Sequence, residues 1–214
     1  MPFFNYIRKQ YLLLVPLAGI VVFIILYPVA TSLYPGGSQA DKNAVGFSWL
    51  NNYWCNLLNV YAMNGDLNKA RPVALTAMAF LCIALAVFWL LFPLHAGLGR
   101  KTKLITQVCG IMAMGTGFFL FTDLHDQVIN AATLCGLASI AGTFAGLHRL
   151  RWRKLIGFGL FNLFLVVVNN ILYYGDGLLL YLPVVQKITF LSFLLWISFI
   201  DVQLYKRAET GVGR

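Results

Sequence analysis

The chain has 214 residues, 60% of them hydrophobic and 11% charged, and a mean hydropathy of +0.77. Soluble domains carry about 25% charged residues, so this composition excludes an ordinary soluble domain and points to a membrane protein. The net charge of +9 is carried by residues at the ends of apolar stretches and not along one continuous face, which argues against nucleic acid as a partner and for a membrane-orientation signal.

A helix needs about 20 apolar residues to cross roughly 30 Å of hydrocarbon. Six such spans with short connections use nearly the whole chain, so residues 1–214 read as a single integral membrane domain. The first apolar stretch follows Arg8 and Lys9 and runs from about Tyr11 to Tyr34. It exceeds the roughly 7–15 apolar residues of a cleaved signal and is expected to be retained as a span. It stops at Pro35-Gly36-Gly37, where Pro and paired Gly break regular structure.

A polar loop follows, and its aromatic and amide-rich stretch from Phe47 to Leu58 is expected to form a helix lying at the membrane interface. The second span starts after Arg71-Pro72 and ends near His95, with Pro in a favourable first-turn position. The third runs from about Leu104 to Phe121 and the fourth from about Val128 to Leu147, joined by Thr122-Asp123-Leu124-His125-Asp126. That short connection makes them an antiparallel hairpin. Gly110, Ala113 and Gly117 on the third and Ala138, Gly142 and Gly146 on the fourth are small enough to let the backbones approach. The fifth span covers about Leu155 to Tyr173 and the sixth about Leu182 to Tyr205. The fold class is therefore all-α, a polytopic membrane bundle of six transmembrane helices with an interfacial helix in the first outer loop.

Orientation follows from the connections. Arg8, Lys9, Arg100, Lys101, Lys103, Arg149, Arg151, Arg153, Lys154, Lys206, Arg207 and Arg214 make 12 of the 16 basic residues, and all belong to the termini and the even-numbered connections. The excess of cations on cytoplasmic loops predicts that both termini are cytoplasmic in this multi-pass protein.

With that topology, the polar residues that invite chemistry gather at the outer face. Asp123, His125 and Asp126 lie in the third connection, Asn130 about one turn into the fourth span, Asn169 and Asn170 about one turn inside the fifth, Asp176 in the last outer loop, and Gln186 and Lys187 about one turn inside the sixth. An ammonium inside a span needs a partner or water, and Asp123 or Asp126 is expected to supply it. The alternative for Lys187 is snorkelling to the interface or a purely structural pair. Asp123, His125, Asp126 and Lys187 are the catalytic candidates, and Asn130, Asn169, Asn170, Asp176 and Gln186 the ligand-binding ones. Asp and His can hold a cation or relay a proton, but His95 and His148 fall at cytoplasmic ends, which disfavours a three-His zinc centre. Neither metal nor cofactor is specified. Cys82, Cys109 and Cys135 lie in spans and Cys55 in a loop, so no disulfide framework or CxxC site follows.

The chain also resembles the small six-helix membrane proteins grouped as domain of unknown function 998. The matching features are Tyr34-Pro35-Gly36-Gly37 followed by Gly46-Phe47-Ser48, Asn68 and Arg71 entering the second span, the Asp-bearing turn between spans three and four, and Gln186-Lys187 opening the sixth. Where that resemblance implies Ser-Asp-Leu-Gly, this chain has Cys55-Asn56-Leu57-Leu58, without the hydroxyl and the carboxylate. The resemblance implies the fold and the membrane location. The functional expectation is a lipid- or partner-binding outer face, with membrane lipids as partners and a homo-oligomer left open. A membrane-embedded enzyme acting on outer-leaflet headgroups by Asp/His acid-base or metal-assisted chemistry, and a small-solute transporter, are the alternatives.

Overall fold

The computed structural model describes residues 11–116, 125–175 and 177–210, with the side chains of 125–130 left undescribed. Among the described residues six α-helices follow one another: α1 (Val15–Ser32), α2 (Arg71–His95), α3 (Arg100–Thr116), α4 (His125–Arg149), α5 (Arg153–Tyr174) and α6 (Leu182–Glu209). A 3-10 helix, Leu12–Leu14, leads into α1. Among the described residues, the stretches Leu12–Ser32, Arg71–His95, Ala131–Arg149, Arg153–Tyr174 and Leu182–Glu209 are long and apolar enough to cross a membrane. The described part of α3 has 17 residues.

The helix boundaries have local causes. Pro72 stands in the first turn of α2, where its missing N–H costs no intrahelical bond. α2 closes through Gly97, whose φ of 66° suits glycine and lets Leu98 N–H reach Pro93 O at 3.2 Å. α4 closes in the same way at Arg151, a non-glycine at φ 59°, with Trp152 N–H donating to Leu147 O at 3.0 Å.

The chain divides into two compact units. One consists of Met1–Val21, Ala79–Phe158 and Trp196–Arg214. Its centre is an aromatic ridge on α2, where Phe88 and Phe92 stack at 5.3 Å and the Trp89 ring meets Phe88 at 5.8 Å. α3 and α4, the helices of the expected hairpin, pack closely against each other, and the connection between them lies outside the described residues. The small residues divide their roles differently from the expectation. Gly142 leaves room for Thr106 of α3, but Gly110 and Gly146 make space for Trp89 and Phe92 of α2. Gly117 lies outside the described residues. Trp89 Nε1 donates to the buried Thr143 Oγ1 at 3.2 Å, and Trp196 Nε1 to Leu155 O at 2.7 Å.

The other unit consists of Val22–Met78 and Gly159–Leu195. It contains the 33–70 loop. The interfacial helix expected over Phe47–Leu58 contracts to a 3-10 helix, Trp54–Leu58. Asparagine side chains explain the difference: Asn52 Oδ1 accepts Ser48 N–H at 2.8 Å and Asn56 Oδ1 accepts Tyr53 N–H at 2.7 Å, which offers the backbone an alternative to a helical ladder.

Candidate functional site

The 33–70 loop is folded by its own polar residues. Gly37, at φ 80°, turns the chain so that its N–H donates to Ala44 O at 2.7 Å. A Cβ there would press on the backbone of Met63 and Asn64, with the Met63 carbonyl carbon 2.6 Å away. Short antiparallel bridges pair Gly36 with Val45 and Tyr61 with Leu67. Tyr34 Oη accepts the Met63 N–H at 2.9 Å. Burial holds this phenol above its ordinary pKa, opposed in part by that N–H.

Three buried asparagines tie the layers together. Asn52 Nδ2 donates to Gly37 O at 2.9 Å. Asn68 Nδ2 is directed at three carbonyls, Asn56 O and Leu57 O at 3.1 Å and Asn59 O at 2.9 Å, while its Oδ1 accepts Ala70 N–H at 3.1 Å. Arg71 Nε donates to Leu58 O at 3.1 Å. Buried main-chain carbonyls need donors, and here an amide or a guanidinium supplies them.

Aromatic rings fill the space between this loop and the neighbouring helix segments. Trp54 lies 4.5 Å from Tyr27, 5.8 Å from Phe23, 5.6 Å from Phe190 and 6.4 Å from Trp49, centroid to centroid. Tyr27 Oη donates to Trp54 O at 3.0 Å. Phe47 stands edge-on to Tyr34 at 5.6 Å and to Trp49 at 5.5 Å.

Lys187 enters this assembly from α6 with only 7% of its surface exposed. Its Nζ donates to Asn52 O, across 135 positions of sequence, and to Pro183 O at 2.8 Å. The Phe47 ring lies 5.9 Å from the ammonium, within reach of a cation–π attraction. The partners of Lys187 are thus main-chain oxygens and a ring face. Among the described residues no carboxylate joins them. Beside Lys187, Gln186 Oε1 and Trp54 Nε1 are buried with no hydrogen-bond partner among the described residues. Cys55 is an exposed residue, yet the atoms packed around its sulfur raise its thiol pKa, opposed by a hydrogen bond from its own backbone and by Lys187.

The other candidates separate into three groups. Asn169 is committed between helices, its Nδ2 donating to Leu165 O at 2.8 Å and to Thr189 Oγ1 at 2.5 Å. Asn170 is exposed and returns its amide to Val166 O at 2.8 Å. His125, Asp126 and Asn130 fall in the first turns of α4, where side chains are undescribed, and Asp123 and Asp176 lie outside the described residues. Among the described residues no three His, Cys, Asp or Glu side chains are grouped for a metal ion.

Sequence reasoning singled out Lys187 and Gln186 as site candidates, whereas it named Asn56 and Asn68 only through the family resemblance and gave Asn52 no role of its own. A density of asparagines flanking Gly37 and Gly46 was their available signal, since Asn and Gly together mark self-bonded turns. In the chain's other unit, Asp201 of α6 is 1% exposed and its Oδ2 has no hydrogen-bond partner among the described residues. Compared with protein-family models, with curated proteins and with solved structures, the chain has no match.

Proposed function

We propose that this multi-pass membrane protein keeps both termini in the cytoplasm and binds lipid of the outer leaflet through the 33–70 loop. In this reading Lys187 is the fastener that holds the loop in its binding conformation. The observation that carries it is the apolar rim on a loop otherwise sealed by its own hydrogen bonds: Val45 is 97% exposed, Leu50 67%, Tyr61 63% and Trp49 50%. Both ends of the loop run directly into apolar helices, α1 and α2. Trp and Tyr so placed favour the headgroup level of a bilayer. The distribution of basic residues supports the orientation. The resemblance to domain of unknown function 998 supports membrane residence and rests on the same Tyr34–Gly37 turn and Asn68–Arg71 segment that build this loop.

Binding fits the arrangement better than turnover because the Lys187 ammonium is already committed to Asn52 O and Pro183 O. A catalytic lysine must instead offer its nitrogen to a substrate. The test is tryptophan fluorescence of the full chain in nanodiscs containing phosphatidylcholine brominated near the headgroup. Quenching that falls by the contribution of one indole in Trp49→Phe supports the proposal. Equal quenching in wild type and Trp49→Phe places that ring away from lipid and refutes it.

A further inference from the structure

The unit formed by Met1–Val21, Ala79–Phe158 and Trp196–Arg214 carries a second surface, independent of the loop just described. Two connections in it are rich in cations: Arg100, Lys101 and Lys103 follow the end of α2, and Arg149, Arg151, Arg153 and Lys154 join α4 to α5. The fold brings them together. Gly97 gives up its side chain at the point where Arg149 lies, and a Cβ there would meet Arg149 Nε at 3.4 Å and its terminal nitrogen at 3.8 Å. The tight left-handed turn at Arg151 then holds Arg153 beside it, with Arg153 N–H donating to Arg151 O at 3.0 Å.

Among the described residues these charges lack compensation. Six of the seven side chains are exposed and Lys103 is half-buried. The carboxylates whose side chains are described in this unit are Asp201, buried, and Glu209, and neither forms an ion pair with them among the described residues. Cations also occupy the first turns of α3 and α5, the positive ends of those helices, where like charge is unfavourable in the absence of an outside anion. Trp152, half-buried between Arg151 and Arg153, is the amphipathic residue that marks a membrane interface.

We propose that the Gly97–Lys103 and Arg149–Lys154 connections form one docking surface for anionic phospholipid headgroups. Charge and position select this occupant. The cations stand where apolar helices end, a position that in a membrane-spanning bundle falls near lipid phosphates, and each cation near such a surface strengthens binding by roughly fivefold. The inference does not use the 33–70 loop and stands even if that loop binds nothing.

Native mass spectrometry of the full chain, ejected from nanodiscs of equal phosphatidylglycerol and phosphatidylcholine, tests it. The wild type is expected to retain phosphatidylglycerol preferentially, and a variant with Arg149→Gln, Arg151→Gln, Arg153→Gln and Lys154→Gln to lose that preference by at least about fivefold. Arg149→Lys, Arg151→Lys and Arg153→Lys together keep the charge and are expected to keep the preference. Lys42→Gln with Lys69→Gln, in the other unit, is expected to leave it unchanged. If the glutamine variant does not fold, the wild type decides alone: its preference must vanish at about 1 M salt, where the screening length is roughly 3 Å. Equal retention of the two lipids by the wild type, or an undiminished preference in a folded glutamine variant, overturns the proposal and leaves the surface to an acidic protein segment.

Discussion

Lys187 and Asp201 are both ionisable, both buried, and differently provided for. Lys187 has two carbonyl acceptors and a ring face. Lys187→Met leaves Asn52 O without its buried donor, a loss of about 1–3 kcal/mol, and the expected result is a lower unfolding midpoint in detergent. Equal midpoints for wild type and Lys187→Met would remove its role as fastener. Asp201 has a buried oxygen with no partner among the described residues. Replacing such a group by an apolar one removes a desolvation cost, so Asp201→Leu is expected to stabilise by about 1–3 kcal/mol. A lower melting temperature in that variant would show that the carboxyl serves a partner after all. The sequence identifies Lys187 as unusual, because a charge within an apolar stretch is conspicuous. The expectation for its partner was Asp123 or Asp126, whose side chains lie outside the described ones, and the acceptors seen among the described residues are main-chain oxygens that no side-chain pattern announces.

At the level of elements, the spans were legible because a run of about 20 apolar residues has few interpretations. α1, α2, α5 and α6 cover the expected stretches, and the Pro72 and Gly97 boundaries follow the rules for helix ends. The 33–70 loop was less legible. Its aromatics and amides suggested one interfacial helix, whereas Asn52 and Asn56 divert backbone N–H groups to side chains. Asn68→Leu should open this loop, since it removes the amide hydrogens shared among the Asn56, Leu57 and Asn59 carbonyls. Faster limited proteolysis between α1 and α2 is the expected signature, and an unaltered cleavage rate would show that the remaining contacts suffice. In the α3–α4 hairpin, the small-residue pattern located close approach correctly and named the wrong neighbour for Gly110 and Gly146. A spacing of four reports which residues share a face, not which helix covers it. Gly142→Val should drive a branched side chain into Thr106, with an overpacking cost of about 1–3 kcal/mol read as a lower melting temperature.

For the molecule as a whole, orientation is the property from which the functional reading descends. In right-side-out cells, a membrane-impermeant maleimide should label Cys55, because it lies in the 33–70 loop while the other three cysteines lie within the long helices α2, α3 and α4. The reactive species is the thiolate, and the Cys55 thiol pKa lies above its ordinary value because of burial, with Lys187 opposing. Labelling should therefore be slow at neutral pH and quicken as pH rises. Protection of Cys55 in intact cells, with labelling only after permeabilisation, would reverse the proposed topology.

The contact between Lys187 and Asn52 also orders events in time. During synthesis the amino-terminal half leaves the ribosome first, and the bonds among residues 34–71 are all local to that half. The loop can thus set while most of the bundle is still unmade. Lys187, 135 positions beyond Asn52, arrives only with the last helix. A chain ending before α6 would therefore carry the loop's own hydrogen bonds without the donor that Lys187 brings to Asn52 O and without the Phe190 ring that packs on Trp54.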